Sequence, residues 1–158
     1  MPDMLVKLYA LPPLEPLLEE MRAAGVLIRR ARPYEISRVG EFVRAHFAAT
    51  WADEISVGYA NKPTTVLIAI IDGEVVGFAG YECTARGFFG PTGVDPAHRN
   101  KGIGKALLLA SLHGLREIGY AYGFIGAAGP VDFYARTVGA VPIEGSVPGI
   151  YGDPLKKR

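Results

Sequence analysis

The stretch that most constrains this chain runs from Phe88 to Gly104. Phe88 to Val94 is a short apolar run with strand character, yet it contains Gly90, Pro91 and Gly93. Proline and glycine are poorly tolerated inside a paired strand, so this strand must be bulged, splayed from a neighbour, or closely approached by a ligand. Asp95-Pro96 then turns the chain, and Arg99-Asn100-Lys101-Gly102-Ile103-Gly104-Lys105 opens directly into a Leu-rich helix. A helix N-terminus presents unpaired N–H groups at the positive end of the dipole and favours acids in its first turn. Here it meets Arg99, Lys101 and Lys105 instead, while Gly102 and Gly104 leave the backbone bare. An anion such as a phosphate or pyrophosphate held among these groups removes the conflict. A solvated loop whose cations point away is the plainer reading of the same composition.

Two phosphate-binding loops are excluded by spacing. A P-loop needs a glycine five residues before Gly104 and a Ser or Thr after the lysine, but Arg99 and Ala106 stand there. A dinucleotide fingerprint needs a small third residue where Leu107 lies, glycines that follow the strand at once, and an acid some twenty residues on; Asp95 to Asn100 intervenes and the later region is Tyr120-Ala121-Tyr122-Gly123-Phe124. The pattern that remains, Arg-x-x-Gly-x-Gly between a broken strand and an apolar helix and preceded by Gly-Val-Asp-Pro, resembles the acetyl-CoA signature of the GNAT acetyltransferase superfamily.

The rest of the chain sets the frame. Its 158 residues suit one folding unit with a sizeable core, and a net charge of +1 gives no general attraction to nucleic acid or anionic membrane. The single cysteine excludes an intramolecular disulfide and a cysteine-based metal site, which fits a reducing cytoplasm. No apolar run is long enough to span a bilayer and no signal peptide is legible, so neither a membrane nor a nucleic-acid partner is expected. Met4 to Ala10 reads as a short edge strand and Leu14 to Ala24 as a helix whose Leu14, Leu17, Leu18 and Met21 stripe needs cover from its own domain or a second subunit. That need makes a homodimer the expectation. Val26 to Ala31 is a strand, and Ile36, Val39, Phe42, Val43, His46 and Phe47 mark one helix face. Thr50 is expected to cap a short helix with Asp53 and Glu54 in its first turn. Thr64 to Ile71, the Asp72-Gly73 turn and Glu74 to Thr84 form a hairpin. Tyr120 to Gly126 is a strand, Val131 to Val138 a helix started by Pro130 and closed by Gly139, and Val141 to Val147 with Gly149 to Tyr151 final strands. The fold class is therefore α/β, with a mixed, partly antiparallel central sheet flanked by helices.

This order is similar to the GNAT fold from Gly25 onward, giving an N-terminal strand–helix extension over residues 1–24 and a GNAT-like domain over 25–158. Phe133-Tyr134-Ala135-Arg136-Thr137-Val138-Gly139 also resembles a family segment whose tyrosine lies near the CoA sulfur, so the resemblance makes Tyr134 the acid that protonates the departing thiolate. It implies acetyl-CoA as co-substrate, no metal, and transfer of the acyl group to an amine of a small molecule or peptide by direct attack. The loop amides and side chains of Arg99, Asn100, Lys101, Gly102, Ile103, Gly104 and Lys105 would hold the pyrophosphate, and amides near Gly93 and Val94 would polarise the thioester carbonyl. Ala127 occupies a position where the family often has an asparagine, and no glutamate lies between Arg86 and Val94, where many members keep their base. Glu82, on the hairpin's second strand, reads equally as a core-facing base and as an exposed strand-end residue. Asp53, Glu54 and Glu144 read either as attractors of a cationic amine or as ordinary surface charges. A non-catalytic acyl-CoA-binding module is the alternative function.

Overall fold

The computed structural model describes residues 1–158. The strands are β1 (Met4–Lys7), β2 (Leu27–Arg30), β3 (Val66–Ile71), β4 (Glu74–Tyr81), β5 (Phe88–Val94), β6 (Tyr122–Ile125) and β7 (Val141–Pro142). The helices are α1 (Glu15–Ala23), α2 (Ile36–His46), α3 (Ala49–Ser56), α4 (Ile103–Ile118) and α5 (Val131–Val138). All seven strands join one sheet in the order β2-β3-β4-β5-β6-β1-β7, antiparallel throughout except between β5 and β6.

The period-two alternation of β3 and β4 divides the core. Val66, Ile68 and Phe78 face α2 and α3, with Val39, Val43 and Ile55 packed against them. Leu67, Ala69, Ala79 and Tyr81 face the other way, onto Leu107, Leu108, Leu112 and Leu115 of α4. A helix this apolar can only be a buried one, and its burial accounts for much of the larger core.

The N-terminal segment is part of the same sheet. Met4 to Ala10 was expected at an edge; instead β1 lies between β6 and β7, in register Met4↔Ile125 and Lys7↔Tyr122, and Leu8–Ala10 is a 3-10 turn. Met4, Val6 and Leu8 are fully buried, and a short apolar run carries no mark of which strands will flank it. The α1 stripe is covered within the chain: Met21 is buried in the α4 core, Leu14 and Leu17 pack against it, and His113 of α4 contacts the Pro12 carbonyl at 2.8 Å. Two further expectations differ from the structure. Helix α3 begins at Ala49, so Thr50 lies inside it, and no side chain caps it. Only Val141–Pro142 pairs after α5, and Gly149–Tyr151 is a 3-10 turn, since the prolines and glycines around it interrupt any ladder.

The parallel pair is short. Phe88 and Phe89 pair with Phe124 and Ile125, and the Gly126 N–H to Phe89 carbonyl contact at 3.4 Å is the last link. Beyond it β5 stays on β4 as far as Val94, slipping register between Ala79 and Tyr81 opposite Gly90-Pro91. The two strands diverge, and one edge of β5 from Gly90 to Val94 has no strand beside it.

Candidate active site

The cation loop closes on the end of this divergence. Asp95 accepts the Ala97 N–H at 3.0 Å and starts a 3-10 turn, Pro96–His98, after which Asn100 and Gly102 take left-handed conformations, φ 63° and 84°. The first intrahelical bond of α4 is Ala106 N–H to the Gly102 carbonyl, 3.0 Å, so the amides of Gly102 to Lys105 have no partner in the protein. No acid lies in the first turn, no side chain caps it, and Arg99, Lys101 and Lys105 are exposed and take part in no ion pair. The Arg99 guanidinium does donate to the Val94 carbonyl at 3.2 Å, which ties the loop to the end of β5. A Cβ built on Gly104 would meet only Val94 Cγ2, at 3.8 Å, so the protein itself leaves that face of the helix end open. Bare amides, free cations and an open cradle are together suited to an anion.

The alternating backbone of β5 decides which amides face the gap. Asp95 N–H bonds to the Val76 carbonyl at 2.8 Å, so the Gly93 amide, two residues back, also points toward β4, whereas those of Val94 and Thr92 point to the unpaired edge. Of the expected pair, Val94 is available to a ligand and Gly93 is not. The glycine at 93 has another cause: a Cβ there would run into the Phe47 ring. Thr92, which the sequence did not single out, joins Val94.

A cleft of about 220 Å³ occupies the gap, with Gly90, Pro91 and Thr92 on one wall and Gly126 to Pro130 on the other. Tyr134 lines it from α5, its ring buried and set edge-on to Phe89 at 6.3 Å. Burial alone pushes its hydroxyl up to about 12, so it stays protonated at neutral pH. Trp51, held against Phe47 at 5.7 Å, closes the cleft from the α3 side. A second hollow of about 300 Å³ continues from it toward Glu54, Thr84 and Tyr151.

Glu82 is not brought to this place. It lies just past the end of β4 at φ 56°, its carboxylate accepts from the Gly87 N–H and from the Tyr120 hydroxyl, the latter at 3.3 Å, and it faces a hollow near Arg30 and the C-terminal half of α4. The positive φ breaks the alternation from which a core-facing row was extrapolated. Its oxygens brace the β4–β5 connection and it lines no part of the cleft that holds Tyr134, which leaves it without a base role there. The N-terminus supplies what the sequence did not reveal. The buried Asp3 accepts the Ala127 N–H at 2.8 Å, and the Pro2 carbonyl accepts that of Ala128 at 2.8 Å, so β1 holds the far wall of the cleft and keeps Ala127 at φ 44°. No group of three or more His, Cys, Asp or Glu side chains is placed to hold a metal ion, and no helix is long and apolar enough to cross a membrane.

Comparison with known proteins agrees with this geometry. The family model for the acetyltransferase (GNAT) domain matches residues 62–137, which span the hairpin, β5, the cation loop, α4 and most of α5. Among solved structures, a GCN5-related N-acetyltransferase from Sphaerobacter thermophilus is 22% identical with a TM-score of 0.70, covering 90% of this chain and 48% of its own. The glucosamine N-acetyltransferase region of a fungal multi-domain β-N-acetylglucosaminidase gives 0.70 at 15% identity, over 90% of this chain and 19% of that one. This chain therefore spans half or less of those two relatives. A GNAT-family acetyltransferase from Brucella melitensis, solved in complex with acetyl-CoA, is 25% identical over 70% of this chain and 80% of its own, with a TM-score of 0.56. No curated protein matches the sequence. The domain match across the cation loop, on a sheet with the fold of solved GNAT acetyltransferases, bears out the resemblance to the GNAT superfamily.

Proposed function

We propose that the chain transfers an acetyl group from acetyl-CoA to an amine, with both substrates bound at once. The observation that carries this reading is the divergence of β5 from β6, which opens a cleft between an anion site at one end and Tyr134 in its wall. The residues fit the co-substrate: unpartnered amides from Gly102 to Lys105 and three free cations suit a pyrophosphate, and the unpaired edge of β5 suits the amide-rich pantetheine arm. Acetyl-CoA supplies a thioester carbonyl open to attack and a thiolate that can leave.

The chain's own groups supply the rest. One outward-facing amide of the β5 edge, that of Thr92 or of Val94, donates to the carbonyl oxygen where negative charge develops. Walls at Trp51, Pro91 and Ala127 hold the two reactants together and narrow the access of water. Tyr134 gives its proton to the sulfur. The nitrogen lone pair forms the C–N bond, the C–S pair leaves on sulfur, and the proton shed by nitrogen passes to a base or to water.

Calorimetric titration with acetyl-CoA, followed by thiol release with a panel of amines, tests the reading. At about 100 times its dissociation constant the ligand adds roughly 2.7 kcal/mol, which raises the melting temperature by several degrees. Absence of binding removes the proposal. Ala127 in place of asparagine and the lack of a glutamate on β5 favour a second reading, an acyl-CoA-binding module without turnover; binding with no thiol released from any amine selects it.

A further inference from the structure

One carboxylate in the hollow beyond Tyr134 takes part in no ion pair. Glu54, on the inner side of α3, is the only charged side chain lining the 300 Å³ space between Trp51, Pro91 and Tyr151. Its Oε1 accepts a hydrogen bond from the Thr84 hydroxyl, and no Lys, Arg or His pairs with it, whereas its neighbour Asp53 has Arg44 at 3.9 Å. The surroundings are flat and apolar: Trp51 stacks on Phe47 with 23° between their planes, and Phe89 and Pro91 form the floor. Burial pushes the Tyr151 hydroxyl up to about 12, so it is neutral and supplies no charge. A half-buried carboxylate with one oxygen tied and the other free is poorly served unless a cation completes the site. The hollow is continuous with the cleft that holds Tyr134, since Trp51, Phe89, Gly90, Pro91, Gly126 and Ala127 line both.

The geometry points to Glu54 as the group that receives the acceptor, which is then a primary ammonium carried on a flat, apolar body. This rests on the acetyltransferase reading above and names its substrate class. Glu54 pairs with the ammonium while Trp51 and Tyr151 lie against the organic part and add cation–π attraction. One N–H bond breaks with its electron pair staying on nitrogen, the proton passes to the free Glu54 oxygen, and the neutral amine is left facing the thioester. The pair then forms the C–N bond, and the C–S pair departs on sulfur and takes the Tyr134 proton; the second proton shed by nitrogen passes through water to restore the Tyr134 hydroxyl, and Glu54 returns its own proton to water. No base on β5 is needed, which accounts for the lack of a glutamate there.

The test uses the full chain saturated with CoA and a pair of probes of one shape, 2-phenylethylamine and 2-phenylethanol, followed by thermal melting at neutral pH. The amine raises the melting temperature and the alcohol does not. Glu54→Gln keeps the size and the Thr84 contact, leaves the shift caused by CoA in place, and erases the one caused by the amine. With acetyl-CoA, kcat/KM for 2-phenylethylamine falls on the order of 10²-fold or more in Glu54→Gln, while 4-methylaniline, whose nitrogen is already unprotonated, loses under about tenfold. Should the glutamine variant melt before the assay, Glu54→Asp keeps the amine-specific shift and lowers kcat/KM. Equal response of parent and Glu54→Gln to the amine overturns the assignment, as does a parent that binds CoA but does not distinguish the amine from the alcohol. Failure to bind CoA at all registers in the first titration and removes the acetyltransferase reading, and this one with it.

Discussion

Gly104→Val separates the anion site from the fold. Gly104 has an ordinary backbone conformation in the first turn of α4, and the only atom near an added Cβ is Val94 Cγ2, at 3.8 Å, an unstrained contact. Helix propensity favours valine over glycine by a few tenths of a kcal/mol, so the free protein should melt within about 2 °C of the parent. The cost falls on the ligand. A branched Cβ stands where a pyrophosphate must approach the amides of Gly104 and Lys105, and each charge-assisted hydrogen bond lost is worth about 1.5–3 kcal/mol. That corresponds to a dissociation constant for acetyl-CoA raised about 10- to 150-fold. Isothermal titration gives the affinity and scanning calorimetry the stability. Gly102→Ala is the contrasting control, because φ 84° there makes any side chain strained, at about 1–2 kcal/mol of folding energy. A Gly104→Val protein that binds acetyl-CoA as the parent does would refute the placement of the anion site; one that loses binding only by unfolding would refute the claim that the site is open.

Three further outcomes are expected. Tyr134→Phe keeps the ring against Phe89, so acetyl-CoA affinity is unchanged while kcat falls on the order of 10²- to 10⁴-fold; a rate within about twofold of the parent, measured where chemistry limits, removes Tyr134 from the reaction. Gly93→Ala costs about 1–3 kcal/mol because its Cβ collides with the Phe47 ring, and Phe47→Leu in the same chain restores part of the loss, as denaturant midpoints would record. Glu35 accepts two hydrogen bonds from the Arg29 guanidinium, at 2.8 and 2.7 Å, which with the Arg32 N–H hold its carboxyl down at about 2, so its stabilisation is full above the ordinary value of 4.5 and is lost as the pH falls toward about 2. Glu35→Gln therefore costs on the order of 1 kcal/mol at neutral pH and progressively less on acidification; a cost that stays constant from pH 7 to about pH 2 would contradict this.

The legible parts of the chain were those written in contiguous residues. The hairpin turn at Asp72-Gly73, the stop signals at Gly25, Gly119 and Gly139, and the breakers in β5 are all local chemistry, and the structure has turns, helix ends and a splayed strand at those places. The cation loop was readable for the same reason, since its conflict with the helix dipole lies within seven residues. What stayed hidden depends on partners far apart in sequence. Nothing near Asp3 indicates that it will hold the Ala127 amide across 124 positions, and nothing in Met4 to Lys7 tells an edge strand from one flanked on both sides. Glu82 misled because one residue of positive φ reverses the face on which the next side chain falls.

The same contrast bears on how the cleft is built. A sheet that keeps all its strands paired offers no backbone amides to a ligand; one that opens anywhere exposes an edge that must be managed. Here β5 and β6 part only after Phe89, and each side of the opening is fixed separately: Arg99 ties down the Val94 carbonyl, while Asp3 and Pro2 hold Ala127 and Ala128. The strand that follows Asp3 fills the sheet position beside β6, with Met4 and Val6 fully buried. The first seven residues therefore form a wall of the site, and their removal would let β6 and the Gly126–Pro130 loop relax into the gap that the substrates need.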